Sequence, residues 1–177
     1  MRISNEIAHY ISMIYRSCNW GFLAMTDNSV TYPLPPLLDS FLDYWATRLI
    51  DGMPPVRNGD FSPAALRPWL GYLALIERDG DSGFRFRLAG TNLHARFQAE
   101  LTGRKLKDVE PDAIGDLEDR VQRAMSLQTP VITKIISAAG NRKFVDLILP
   151  LANEAGQIDL VILASCLTDQ PTLDNLN

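Results

Sequence analysis

Cysteine and histidine are scarce in this sequence, with two of each among 177 residues. Cys18 and Cys166 lie far apart and show no metal-ligand spacing, which fits free thiols in a reducing compartment rather than a disulfide framework. A basic surplus is lacking as well: 17 Lys and Arg face 21 Asp and Glu, giving a net charge of -4 and a pI near 5.1. A nucleic-acid binder carries a basic face to neutralise phosphates. Here the densest basic cluster, Arg104, Lys105 and Lys107, is diluted by Asp108 and Glu110. Long apolar runs are missing too. The longest, at 158–167, is interrupted by Asp159 and falls short of the roughly 18 residues a membrane span needs. Glu6, His9 and Arg16 break up any apolar core of a signal peptide. These absences point to a cytoplasmic protein that neither binds nucleic acid nor spans a membrane.

Apolar residues make up 46% of the chain and charged ones 21%, a composition that folds. The length suits one well-buried core and is too short for two ordinary domains. Ile3, Ile7, Ile11, Ile14 and Cys18 recur at helical steps, so 3–18 reads as an amphipathic helix. Tyr32-Pro33-Leu34-Pro35-Pro36 follows as a stiff linker, which separates an N-terminal arm, 1–35, from the rest. A lone helix of this length is marginal in water. Its isoleucine stripe, Ile3, Ile7, Ile11 and Ile14, must therefore pack on the domain, on a second copy or on a partner.

A second helix is predicted at 37–50 from Leu38, Phe41, Leu42, Trp45 and Leu49, stopped by Asp51-Gly52. Asp60 or Ser62 with Pro63 marks a short helical start. A dense apolar run at 69–77, a turn at 78–83 and strict alternation at 84–88 make an antiparallel hairpin. The alternation puts Arg85 and Arg87 on one face and Phe84, Phe86 and Leu88 on the other. Thr91 can cap a short helix carrying Leu93 and Phe97, and a longer helix is expected at 113–128, ended by Pro130. Strands follow at 131–138, 143–151 and 158–166, joined by good turn chemistry. The fold class is α+β: a five-stranded antiparallel sheet with helices mainly on one face. The last strand is apolar on both faces, so the second face needs a cover too, with the arm helix or a second subunit available.

This element order is that of a PAS domain. The segments Leu38-Asp39 with Tyr44-Trp45, Phe84-Arg85-Phe86-Arg87-Leu88-Ala89-Gly90-Thr91, Leu101-Thr102-Gly103-Arg104 and Leu149-Pro150-Leu151 resemble a bacterial PAS-like family long catalogued as a domain of unknown function. The resemblance runs from about 36 to 164 and is most specific around Arg87, Gly90 and Thr91. It implies a PAS-like domain at 36–166, followed by a flexible tail at 167–177. It further implies a module that senses a small molecule or redox state between sheet and helices, or that dimerises and docks. With no room for an output domain, a stand-alone copy would act by changing its affinity for a signalling partner. A homodimer joined through the arm and outer sheet face is the expected assembly. A ligand-free adaptor with a filled core is the alternative, and a small enzyme using the cavity a third.

The cofactor is left unknown by the residues. A haem ligand would be expected on the helix at 113–128, which has no histidine; His94 reads better as an exposed helix residue. Neither cysteine falls in the helical middle of the domain, where a light-sensing flavin domain needs one, and other flavin binding stays open. The candidate ligand-binding residues are Phe86, Arg87, Thr91, Phe97, Lys134 and Asp146. Arg87 has two readings: a structural one, covering the sheet or pairing with Asp146, and an anion anchor for carboxylate or phosphate. Trp45 and Trp69 read as packing anchors, and Gly90 and Gly103 as sources of backbone freedom. Gly80-Asp81-Ser82-Gly83 copies the surroundings of a serine-protease nucleophile, but it sits in the hairpin turn with no base or orienter evident. Asp112, Asp116, Glu118 and Asp119 read as a solvated helix start. No catalytic residue, metal site, Walker loop or dinucleotide fingerprint emerges, and no enzyme is expected.

Overall fold

The computed structural model describes residues 34–57, 59–80, 83–136 and 142–168. The arm with Ile3, Ile7, Ile11 and Ile14 and the tail beyond 168 lie outside them. Helix α1, Pro36–Ala46, starts on a proline whose missing N–H costs nothing in a first turn, with Asp39 favoured there by the helix dipole. It buries Leu37, Leu38, Phe41, Leu42, Trp45 and Ala46. It is shorter than the 37–50 predicted. The chain reverses after it, with Ile50 and Met53 bonded to each other and Asp51 and Gly52 at φ 52° and 80°.

Strands β1 (Leu73–Arg78), β2 (Phe84–Ala89), β3 (Val131–Ile136), β4 (Lys143–Ala152) and β5 (Ile158–Leu167) form one sheet in the order β2-β1-β5-β4-β3. Every neighbouring pair is antiparallel. The β4–β5 turn is fixed by Asn153 Oδ1, which accepts from the N–H groups of Ala155 and Gln157 at 2.9 and 3.0 Å. The outer edge of β2 is bonded to the loop at 103–105 through Phe86 and Arg104 at 2.8 Å. Short helices α2 (His94–Phe97), α3 (Pro111–Ile114) and α4 (Leu117–Leu127) lie between the hairpin and β3. The single helix expected at 113–128 is thus two, because Gly115 breaks it at φ 54°. Residues 70–72, expected as strand, form a 3₁₀ turn instead.

Both faces of the sheet are covered. On one, Ala74, Ile76, Phe84, Phe86, Ile148, Val161 and Leu163 pack under Leu93, Phe97, Leu101, Leu106, Leu117 and Val121. On the other, Val145, Leu147, Leu149, Leu151, Leu160, Ile162 and Ala164 pack against α1 and Phe61, Leu66 and Trp69. That explains the doubly apolar β5. The cover on this second face, among the described residues, is α1 with the 59–72 segment rather than the arm or a second subunit. Two indoles lock it: Trp45 Nε1 donates to the Pro150 carbonyl at 2.9 Å, and Trp69 Nε1 to Ser40 Oγ at 3.0 Å. Both tryptophans are therefore packing anchors within the domain.

Strict alternation fails at one point in β2. Leu75 pairs with Leu88 but Ile76 pairs with Phe86, so Arg87 is the extra residue of a bulge. Leu88 turns to the face of Leu75 and is 39% exposed, instead of joining Phe84 and Phe86. Gly90 likewise serves a different purpose from the one expected. Its φ of -74° is open to any residue, but a Cβ there would run into the Leu70 carbonyl oxygen and the Gly71 backbone. Gly103, at φ 82° with open space around it, does supply conformational freedom.

The two glycines can be separated by experiment. Gly90→Ala is expected to cost about 3 kcal/mol through backbone displacement. Gly103→Ala should cost about 1 kcal/mol through conformational strain alone. Urea unfolding of both variants checks the order; a costlier Gly103→Ala would overturn this account of Gly90.

Candidate functional site

A small set of charged groups is enclosed where α2 and α4 meet the centre of the sheet. Register places Thr133, Asp146 and Ser165 side by side on β3, β4 and β5. Asp146 is fully buried on the helix-covered face, the face of Ile148. Ser165 Oγ donates to its Oδ1 at 2.6 Å. Its Oδ2 faces two arginines: Arg120 Nη1 donates to it at 3.0 Å, and Arg96 Nη2 forms an ion pair with it at 3.7 Å. Each guanidinium also ties down a helix terminus. Arg96 Nη1 donates to the Ala113 carbonyl at 2.7 Å, joining α2 to α3, and Arg120 Nε donates to Asp116 Oδ1 at 2.8 Å.

The surroundings are apolar. Arg96 lies against the ring of Phe97, 4.6 Å from its centroid, and 5.9 Å from that of Phe144. Phe86 and Phe97 meet edge to face at 5.9 Å. Burial pushes the Arg96 pKa down, Asp146 opposes that, and the neighbouring Arg120 adds to it. Two buried nitrogens of this cluster, Arg96 Nε and Arg120 Nη2, find no acceptor among the described residues. Chemically the arrangement is an electrostatic clamp. It has a cationic edge, and among the described residues it holds no group of three metal-binding side chains.

Of the sequence candidates, Phe86, Phe97 and Asp146 lie on this face of the sheet, and the others do not. Arg87 is exposed and pairs with Glu77 at 3.5 Å, sharing it with Arg85 at 2.6 Å. Its pairing with Asp146 is ruled out by topology, because β1 and β5 stand between β2 and β4. Lys134 is exposed and pairs in register with Val145, which points to the opposite face from Asp146. Thr91 makes no capping bond, and Gly90 takes the cap position. Thr91 lines a surface cleft with His94, Glu100 and Leu101 that has room for about 20 Å³, roughly one water molecule. His94 is exposed, as the sequence suggested.

Arg96 and Arg120 are the residues sequence reading missed. Both carry a usable signal. Arg120 falls three residues after Leu117 and four before Ala124, within the buried stripe of α4. Arg96 falls three after Leu93, beside Phe97. A charge placed on the apolar side of a helix needs a partner inside.

A five-stranded antiparallel sheet roofed by short helices over an enclosed polar cluster defines an α+β domain. The PAS domain family matches residues 35–164, and the chain belongs to that family of sensory and signalling domains. Its members are in general not catalytic. Among solved structures, the chain is similar to a sensory box sensor histidine kinase from Vibrio cholerae at 13% identity. That match has a TM-score of 0.45 and covers 59% of this chain and 84% of the other. It is also similar to VqmA from the same organism, in a complex with ligand and DNA, at 15% identity and a TM-score of 0.47. Here 63% of this chain and 53% of the other are covered. No curated protein matches. Among the described residues, no helix is long and apolar enough to cross a membrane.

Asp146→Asn removes the buried counter-charge of two arginines and is expected to destabilise by about 3–5 kcal/mol. Ser165→Ala should cost about 1.5–3 kcal/mol, the range for a hydrogen bond to a charged group. Urea unfolding checks both, and an Asp146→Asn variant within 1 kcal/mol of wild type would refute the clamp. On the other face, burial and then the Asp146 charge push the Cys166 thiol up to about 12 from 9.0. The native state thus holds its proton where the unfolded state has lost it, and this contribution to stability falls as pH rises from 9 towards 12. Cys166→Ala should flatten that decline. Peptide mapping after alkylation at pH 8 should find Cys166 unmodified until the protein is unfolded.

Proposed function

We propose that this chain is a sensory PAS module that binds a small molecule between its sheet and helical roof and signals by altering its affinity for another protein. The observation that carries this reading is the Arg96, Arg120, Asp146 and Ser165 cluster, enclosed in an otherwise apolar interior. Buried charge costs stability, so an interior of this kind is better suited to recognising a polar group than to holding the fold. The same arginines link α2 to α3 and α4 to β4. A ligand that rebalanced the cluster would alter the packing of the roof, which is the differential contact a population shift requires. The module works in the cytoplasm without catalysis, as a homodimer held by the 1–35 arm.

A constitutive adaptor is the second reading. It is favoured by the close packing of Phe86, Phe97, Leu101, Leu106 and Leu117, none more than 2% exposed. Native mass spectrometry of the purified protein, repeated after denaturation, separates the two. The sensor predicts a dimer with an extra mass that denaturation releases, and a dimer that never carries or accepts a ligand supports the adaptor. Deleting residues 1–30 should yield monomer, and an unchanged dimer would remove the arm from the interface.

A further inference from the structure

The enclosed charges do not balance. Arg96 and Arg120 have side chains only 4% exposed, and the one carboxylate buried with them among the described residues, Asp146, is 0% exposed. Asp116 is 49% exposed, so its charge is largely screened by solvent. A surplus positive charge held in an apolar interior costs several kcal/mol. Hydrogen bonding is incomplete at the same place. Arg96 commits Nη1 to Ala113 and Nη2 to Asp146, while Arg120 commits Nε to Asp116 and Nη1 to Asp146. Arg96 Nε and Arg120 Nη2 remain, both buried and without an acceptor among the described residues. Because both guanidiniums reach the same Asp146 oxygen, these two donors belong to adjacent groups.

We propose that the site takes a small monocarboxylate, whose carboxylate group accepts from Arg96 Nε and Arg120 Nη2. This rests on the sensory reading above and names the class of ligand. One carboxylate supplies one negative charge, which matches the surplus, and two acceptor oxygens, one for each of the two unpaired nitrogens. Water satisfies the donors but not the charge. A phosphate dianion overshoots the balance by one, and a neutral ligand leaves the surplus in place. The rings of Phe97 and Phe144 beside Arg96 favour an apolar body behind the carboxylate. Both arginines are covered, so the roof must shift to admit the ligand.

Thermal unfolding and titration calorimetry of the full chain test this with acetate, propionate and phenylacetate. Propionamide serves as the neutral isostere, with chloride and inorganic phosphate as other anions. The carboxylates should raise Tm saturably, and propionamide and chloride should not. Arg96→Gln should weaken carboxylate binding about tenfold to hundredfold, and Arg87→Ala should leave it unchanged. Should Arg96→Gln fail to fold, the contrast between propionate and propionamide on wild type decides alone. Equal stabilisation by the two, no stabilisation by any carboxylate, or a larger effect from phosphate would overturn the proposal. A neutral molecule released in native mass spectrometry would overturn the carboxylate and leave the sensory reading standing. The absence of any released molecule together with no carboxylate effect would overturn both.

Discussion

The arrangement of the helical roof depends on one carboxylate. Asp146 is fully buried on β4, where it accepts from Arg120 of α4 and Ser165 of β5 and forms an ion pair with Arg96 of α2. The pieces it gathers are short: α2 and α3 have four residues each, too few to hold a position by backbone bonding alone. Apolar side chains bring them to the sheet without specifying where along it they rest. Hydrogen bonds of defined length to a single side chain do specify it. The result is a roof whose position is set electrostatically and whose stability is set by burial.

The two faces of the sheet are built on different principles. The α1 side is a layer in which aliphatic side chains and two hydrogen-bonded indoles interlock, and among the described residues the fully buried charged side chains all lie on the other face. The other side mixes aromatic rings with an ionic cluster.

Much of this architecture was legible in the residues. Periodicity located every strand to within a few positions, and the doubly apolar β5 required a sheet covered on both sides. What was not legible depended on three-dimensional approach. The bulge at Arg87 obeys no local pattern, because it arises from register with β1. The need for glycine at 90 comes from the Leu70–Gly71 backbone passing beside it. Asp146 was among the candidate ligand residues and a suggested partner of Arg87, but its partners lie 50 and 26 positions earlier, on helices whose docking sequence alone does not give. The isoleucine stripe of the arm falls outside the described residues.

The strand order has a further consequence at the sheet's two margins. The β2 margin is closed by the chain itself through the 103–105 loop. The β3 margin has no neighbouring strand among the described residues, and along one side of β3 stand Ile132, Lys134 and Ile136. Isoleucines at such a margin invite a foreign strand to extend the sheet, and a lysine between them makes that extension carry a charge out of water. Among the described residues the ladder is therefore open at β3 alone, the strand that carries Lys134.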